Sequence, residues 1–412
     1  MPRRPRTLAL VLAGGKGSRL GPLTQQRAKP ALPYAGVYRL IDVPLTNCVH
    51  SQLGNVWVIE QFQPHALNEH LLNGRPWDLD RNAGGLRILP PFTGAHGEGF
   101  AEGNADVLWR NRPLLEEFAP DEIVVMSADH IERVDFRDVL DAHRATAASV
   151  TMLTTEVKPD EASRFGIVQT DGDRVTDFAY KPEHPTGTAA ATEVFAYDAR
   201  ALFDTLDQLA RELPPEDDGA PKLEDFGNHL IPALVAGGRA HAVRHTGYWR
   251  DVGTIPSYWD GHMDLLRDDL TGPGGPLSLD DPEWQLRTGV VLQMPARLAR
   301  SARVDDALVS PGAYVAGTVE RSVIGPGVVV EEGAEVRDSV LLHHVIVRRG
   351  ARVVRSILDD RVEVGEGATV GGPEGELSVV GQRVRVAAGD EVAPGAEVDA
   401  EGVAPVLVGA RG

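Results

Sequence analysis

An α/β domain with a Rossmann-like, mostly parallel sheet, followed by a left-handed β-helix, is the fold class that three observations predict. Short apolar runs alternate with longer helical patterns from Leu8 to about Leu265. A Pro/Gly cluster follows at Thr271-Gly272-Pro273-Gly274-Gly275-Pro276. Beyond it, apolar residues recur at every sixth position. The expected boundaries are 1–270 for the first domain, 271–300 for a linker and 301–412 for the β-helix with its tail.

Within the first domain the candidate strands are Leu8–Ala13, Asn55–Ile59, Glu122–Met126 and Ser149–Thr155, each short, apolar and rich in β-branched residues. Helical patterns lie between them at His65–Leu72, Ala105–Phe118 and Phe136–Thr146, and the turn-forming residues of 213–221 predict a surface loop. In the second domain Ile324, Val330, Val336 and Leu342 are six apart. The spacing resumes at Val347 and Val353, and again at Leu358, Val364 and Val370, with one-residue slips between sets. Such a hexapeptide repeat points each apolar side chain into a triangular prism, where it stacks on its equivalent one coil away. From Gly381 onward no clean period is visible.

A chain of 412 residues exceeds one ordinary domain of roughly 100–200 residues, so two folding units are expected. No run approaches the roughly 18 apolar residues of a membrane span. Arg3, Arg4 and Arg6 ahead of Leu8–Ala13 imitate a secretory signal, but the run is short and leads into glycines rather than a cleavage site. The single cysteine, Cys48, cannot form an internal disulfide, which makes the cytoplasm the simplest compartment. A formal charge of −19, with no basic block to offset it, argues against nucleic acid as a partner. Any phosphate substrate must therefore be held by a few well-placed cations.

Two regions supply them. Leu12-Ala13-Gly14-Gly15-Lys16-Gly17-Ser18-Arg19-Leu20 is a strand running into a Gly-rich turn, followed by Arg27-Ala28-Lys29-Pro30. Glycines let backbone N–H groups approach a phosphate chain, while Arg19 and Lys29 offer positive charge to a pyrophosphate leaving group. Neither a P-loop nor a Gly-x-Gly-x-x-Gly fingerprint fits the turn. A second strand, Val124-Val125-Met126-Ser127, ends at Ala128-Asp129-His130, placing Asp129 outside the carboxyl end of a strand, where open parallel sheets bind ligands. Asp251, in Tyr248-Trp249-Arg250-Asp251-Val252-Gly253-Thr254, is its candidate partner, since two carboxylates can hold one Mg²⁺ among triphosphate oxygens and water. Lys181, before Pro182, could hold a sugar phosphate.

These segments resemble the bacterial glucose-1-phosphate adenylyltransferases, the ADP-glucose pyrophosphorylases. The resemblance runs through residues 12–20, 27–30, Tyr38-Arg39-Leu40-Ile41-Asp42, Thr46-Asn47-Cys48, Gly103-Asn104-Ala105-Asp106, 127–131, 226–232 and 248–254. It implies a nucleotidyltransferase domain and a Mg²⁺-dependent reaction of ATP, or another NTP, with a sugar 1-phosphate. The products would be an ADP-sugar for glycogen-like polymers and pyrophosphate, made by a homotetramer. Carried over by position, Asp129 and Asp251 resemble the metal ligands, and Arg19 and Lys29, with Asp129, the catalytic set. Leu12, Ala13, Gly14, Gly15, Gly17 and Gly103 resemble the nucleotide contacts, and Gly166 and Lys181 those to the sugar phosphate. The departures gather on the sugar side: Phe100-Ala101 for an aromatic pair, Asn104 for a threonine, Tyr180 for a glutamate, and Ala191-Thr192-Glu193 for Ser-Met-Gly. Gln26 stands where some relatives use a lysine beside Arg27 for an activator. A changed sugar pocket is the expectation, and a non-catalytic regulatory subunit is the alternative.

Overall fold

The computed structural model describes residues 5–15, 17–91, 103–214, 221–272, 275–279, 281–289 and 292–399. Lys16, Phe100, Ala101, most of the 213–221 loop and the end of the tail lie outside the described residues. The chain forms two compact units. One comprises Met1–Gly15, Val43–Pro64 and Leu71–Trp249; the other comprises Lys16–Asp42, His65–His70 and Arg250–Gly412. This grouping differs from a division by chain order.

The first unit is built on a nine-stranded sheet. Its strands are β1 (Thr7–Ala13), β2 (Asn55–Glu60), β3 (Gly85–Leu89), β4 (Glu122–Ser127), β5 (Val150–Glu156), β6 (Gly166–Asp171), β7 (Arg174–Tyr180), β8 (Ala189–Asp198) and β9 (Ala240–Arg244), in the order β3-β2-β1-β4-β8-β5-β9-β7-β6. The first four are parallel, with Leu10 opposite both Trp57 and Val125, and β5 and β9 are also parallel. β8 runs antiparallel between β4 and β5, and the β6–β7 hairpin closes the far edge. The parallel, doubly covered half explains the unbroken apolar runs of β1 and β4, whose side chains are buried on both faces. The helix Phe136–Thr146 has the expected bounds, opened by the Asp135 carboxylate accepting the Arg137 N–H at 3.0 Å. The helix expected at 65–72 runs Pro64–Leu71, because proline suits its first turn and Leu72 adopts a left-handed φ of 45°.

In the second unit the β-helix is three-faced. Val319, Val336, Val353 and Val370 stack on one face, Ile324, Leu341 and Leu358 on the next, and Val315, Val330, Val347 and Val364 on the third. The slip in period has a physical cause. The corner between the first two faces is a single residue with positive φ, at Arg321 (43°), Asp338 (48°) and Arg355 (47°), whereas the other corners are longer. Each coil therefore steps six, six and five residues, and Leu341, not Leu342, fills the core position after Val336. Buried serines seal that corner. Ser339 N–H donates to Ser322 Oγ at 3.2 Å and Ser356 N–H to Ser339 Oγ at 3.1 Å, one 17-residue coil apart. The period fades beyond Gly371 because the loop 372–377 lengthens one coil, so that Leu358 stacks on Val380 and Val370 on Val392.

The remaining segments of this unit are tied to the β-helix by polar contacts. Trp259 Nε1 donates to the Asp338 carbonyl at 2.9 Å, and the His343 ring lies 3.1 Å from the Gly36 carbonyl. His262 is fully buried between Tyr34 and Tyr258, its Nδ1 2.9 Å from the Tyr258 carbonyl, and burial lowers its pKa to about 4. The folded value lies below the unfolded one of about 6.5, so the unfolded chain takes up the proton first. The neutral ring's contribution is complete above about pH 6.5 and is lost as pH falls toward 4, by at most on the order of 3 kcal/mol. His262→Phe is accordingly expected to narrow the drop in urea-unfolding stability between pH 7.5 and pH 5. An unchanged drop would refute this.

Candidate active site

In the first unit the carboxyl ends of β1, β2 and β4 share one edge of the sheet. Leu12 is opposite Ser127, and the Ala128 N–H donates to the Leu12 carbonyl at 3.2 Å, so Ala13-Gly14-Gly15 and Asp129 leave adjacent strands side by side. Leu12 and Ala13 are buried. A Cβ on Gly14 would stand 2.2 Å from Gln61 Oε1, whereas one on Gly15 would meet nothing within 4 Å among the described residues. Gly14 thus has a packing reason, and Gly15 is the open position of the turn.

Asp129 accepts a hydrogen bond from the Ser127 hydroxyl. Beside it, His130 is buried, with Nδ1 2.7 Å from the Thr192 carbonyl and Trp249 edge-on at a ring separation of 5.3 Å. Glu132, two residues along the same short strand His130–Glu132, is pushed up to about 7 by burial and by the nearby charge of Glu193, against a lowering by His130. The alternation of a strand puts 130 and 132 on one face. That is the signal by which Glu132 could have been found, while Glu193 approaches from β8 with no local pattern to mark it.

The sugar-side residues occupy the other half of the sheet. A Cβ on Gly166 would stand 2.5 Å from the Phe178 ring on the facing strand, so any larger residue there must displace that ring. Gly103 has φ 123° and begins the helix Asn104–Phe118; a Cβ there would strike the Glu224 backbone at 2.4 Å. Tyr180, the departure from a glutamate, donates its hydroxyl to Asp225 Oδ2 at 3.0 Å and accepts from Lys181 Nζ at 2.7 Å. The Lys181 ammonium also lies 4.4 Å from the Tyr180 ring centroid. An Asp–Tyr–Lys relay therefore fixes the lysine that sequence singled out.

The second unit gathers the other cations. Lys29 is buried, and its Nζ is 3.9 Å from Asp251 Oδ1. Gly253 shows how close the third member comes, since a Cβ there would stand 2.8 Å from Asp251 Oδ2 and 3.1 Å from Arg19 Nη2. Gly17, with φ 66°, opens the turn that carries Arg19, and its carbonyl accepts the Thr24 hydroxyl at 2.9 Å. Thr254 caps the following helix Ile255–Met263, and the Ser257 hydroxyl holds the Asp251 carbonyl at 2.5 Å. Arg19, Lys29 and Asp251 are thus brought together, while Asp129 belongs to the first unit.

Residues 8–268 match the family described as nucleotidyl transferase. The chain belongs to the nucleotidyl transferase family. Residues 294–377 match a second family described as GlmU-like, C-terminal hexapeptide, in agreement with the left-handed β-helix. Among its relatives this nucleotidyl transferase is similar to the glucose-1-phosphate adenylyltransferase of Thermotoga sp. (strain RQ2), 40% identical over 80% of this chain and 76% of that protein. It is 37% identical to the protein of the same name from Bacillus thuringiensis (strain Al Hakam), over 83% of this chain and 88% of that one. The enzyme of Lachnospira eligens matches at 39% over 79% and 74%. Cys48 is fully buried against Met126, and burial raises its thiol pKa, so this nucleotidyl transferase does not use it as a nucleophile.

Proposed function

We propose that the chain transfers AMP from ATP to glucose 1-phosphate, or a related sugar 1-phosphate, and releases pyrophosphate, supplying an ADP-sugar for α-glucan synthesis. The observation that carries this reading is the gathering of Arg19 and Asp251 at Gly253, with Lys29 against Asp251, in a chain similar over most of its length to glucose-1-phosphate adenylyltransferases. Arg19 and Lys29 neutralise the departing pyrophosphate, and the turn at Gly14, Gly15 and Gly17, with Leu12, Ala13 and Gly103, holds the nucleotide. No general base is needed, since the attacking sugar phosphate is already an anion at neutral pH. Asp129 and Asp251 would hold the Mg²⁺, and Asp129 fits the role, with a hydroxyl orienting its carboxylate and further ligand atoms within 4.8 Å. When bound, that ion would offset charge on the phosphates. We keep 1–270 as the catalytic domain, 271–300 as linker and 301–412 as the β-helix domain, in a cytoplasmic homotetramer, on the strength of the resemblance.

Lys181 and Gly166 would receive the sugar phosphate. Lys181→Ala is expected to raise the KM for sugar phosphate by about tenfold or more with a smaller effect on the KM for ATP, since a charged hydrogen bond contributes about 1.5–3 kcal/mol. Equal changes in both constants would remove the role. The whole reading is tested by pyrophosphate release from ATP, UTP, GTP and dTTP, each paired with glucose 1-phosphate, glucosamine 1-phosphate and mannose 1-phosphate. Turnover with ATP and glucose 1-phosphate supports it. A different preferred sugar would trace to Tyr180 and Glu193, and silence across the panel would favour a regulatory subunit.

A further inference from the structure

A third carboxylate stands beside Asp129. Glu193 lies in β8 where the pairing with β5 slips between Ala191 and Phe195, and its φ is 58°. A side chain adopts this left-handed conformation only under strain, and glycine is the residue that fills it without cost. What the strained bulge achieves is placement, because ligand atoms of Asp129, His130 and Glu193 all lie within 4.8 Å of one another. The Thr192 carbonyl can only accept, so it fixes the proton of a neutral His130 on Nδ1 and leaves the Nε2 lone pair 3.8 Å from Asp129 Oδ1. On the same strand face as His130 stands Glu132, whose Oε2 is shut off from solvent and accepts no hydrogen bond among the described residues. Carboxylates crowded around an imidazole lone pair form an electron-rich cluster that a cation completes.

We propose that Asp129, His130 and Glu193 form a divalent-cation site that prefers Mn²⁺ to Mg²⁺. Ligand atoms around one six-coordinate ion stand roughly 3–4.3 Å apart for bonds of about 2.1 Å, so small side-chain movements close the group on an ion. Mg²⁺ takes oxygen donors and sheds water reluctantly, whereas an imidazole nitrogen among carboxylates suits a first-row transition ion. The inference rests on the proposed function only in sharing Asp129, and its test needs no turnover.

Mn²⁺ binding to the metal-free full-length chain is read by electron paramagnetic resonance, with Mg²⁺ as competitor. One tight site is expected, with Mn²⁺ at least tenfold tighter than Mg²⁺. Glu193→Gly removes the backbone strain, so it should fold with an equal or higher Tm while Mn²⁺ affinity falls at least tenfold. His130→Gln should bring the two ions to within about threefold of each other. Mn²⁺ affinity unchanged in Glu193→Gly, or a preference unchanged in His130→Gln, would overturn the site. Mg²⁺-supported pyrophosphate release with Mn²⁺ affinity unmoved by either variant would sink this site and leave the enzyme reading standing. Tight Glu193-dependent Mn²⁺ binding without turnover on any substrate pair would do the reverse.

Discussion

Asp129→Asn is expected to lower turnover by at least about 10³-fold, or about 4 kcal/mol of transition-state stabilisation, with no loss of melting temperature. The substitution keeps the shape of the side chain and an oxygen to accept the Ser127 hydroxyl, so the end of β4 should be undisturbed. What it removes is charge. Asp129 stands near Glu193, so a neutral amide relieves repulsion in the folded state and stability should hold or rise. Pyrophosphate release and a thermal melt on the same preparation decide the matter, and full activity would remove the role given to Asp129. Asp251→Asn makes the contrast. Its carboxylate faces the buried Lys29 at 3.9 Å, so neutralising it leaves a cation without that counter-charge, and both turnover and stability should fall.

The contrast shows which parts of the site the sequence could announce. Asp129 was legible because a buried strand ending in an aspartate is a local pattern, and Arg19 and Lys29 because glycines and cations cluster within a few turns of chain. The hexapeptide period was equally local, and only its five-residue step needed the structure, since a single left-handed corner residue such as Asp338 leaves no compositional mark. Glu193 is different in kind. It reaches Asp129 only because β8 inserts antiparallel beside β4 and bulges there, and neither strand order nor bulge is written in periodicity. Gly103 and Gly166 each also have a packing reason, the Glu224 backbone in one case and the Phe178 ring in the other, so a glycine by itself does not separate a ligand contact from close packing.

Arg27→Met is expected to destabilise the chain by about 3–5 kcal/mol, through the acid it leaves behind. Arg27 Nη2 is 2.5 Å from Asp359 Oδ1 and Nη1 is 3.3 Å from Asp360 Oδ2, and Arg27 and Asp359 are only 4% and 0% exposed. Without the guanidinium, Asp359 is a carboxylate in a dry site beside a second one. The pair itself is imperfect, since Arg27 Nε and Asp359 Oδ2 are buried with no hydrogen bond among the described residues. Desolvation therefore offsets much of the attraction, and the double variant Arg27→Met/Asp359→Leu should recover most of the lost stability. Urea unfolding of wild type, both single variants and the double variant closes the cycle, and additive losses would show that the pair is not coupled. The same geometry bears on control. The resemblance implies that some relatives use a lysine beside the position of Arg27 for an activator, but here Gln26 stands there, and Asp359 and Asp360 already meet the charge of Arg27. An anionic effector would have to displace two carboxylates, so an activator response through Arg27 should be absent in the wild type.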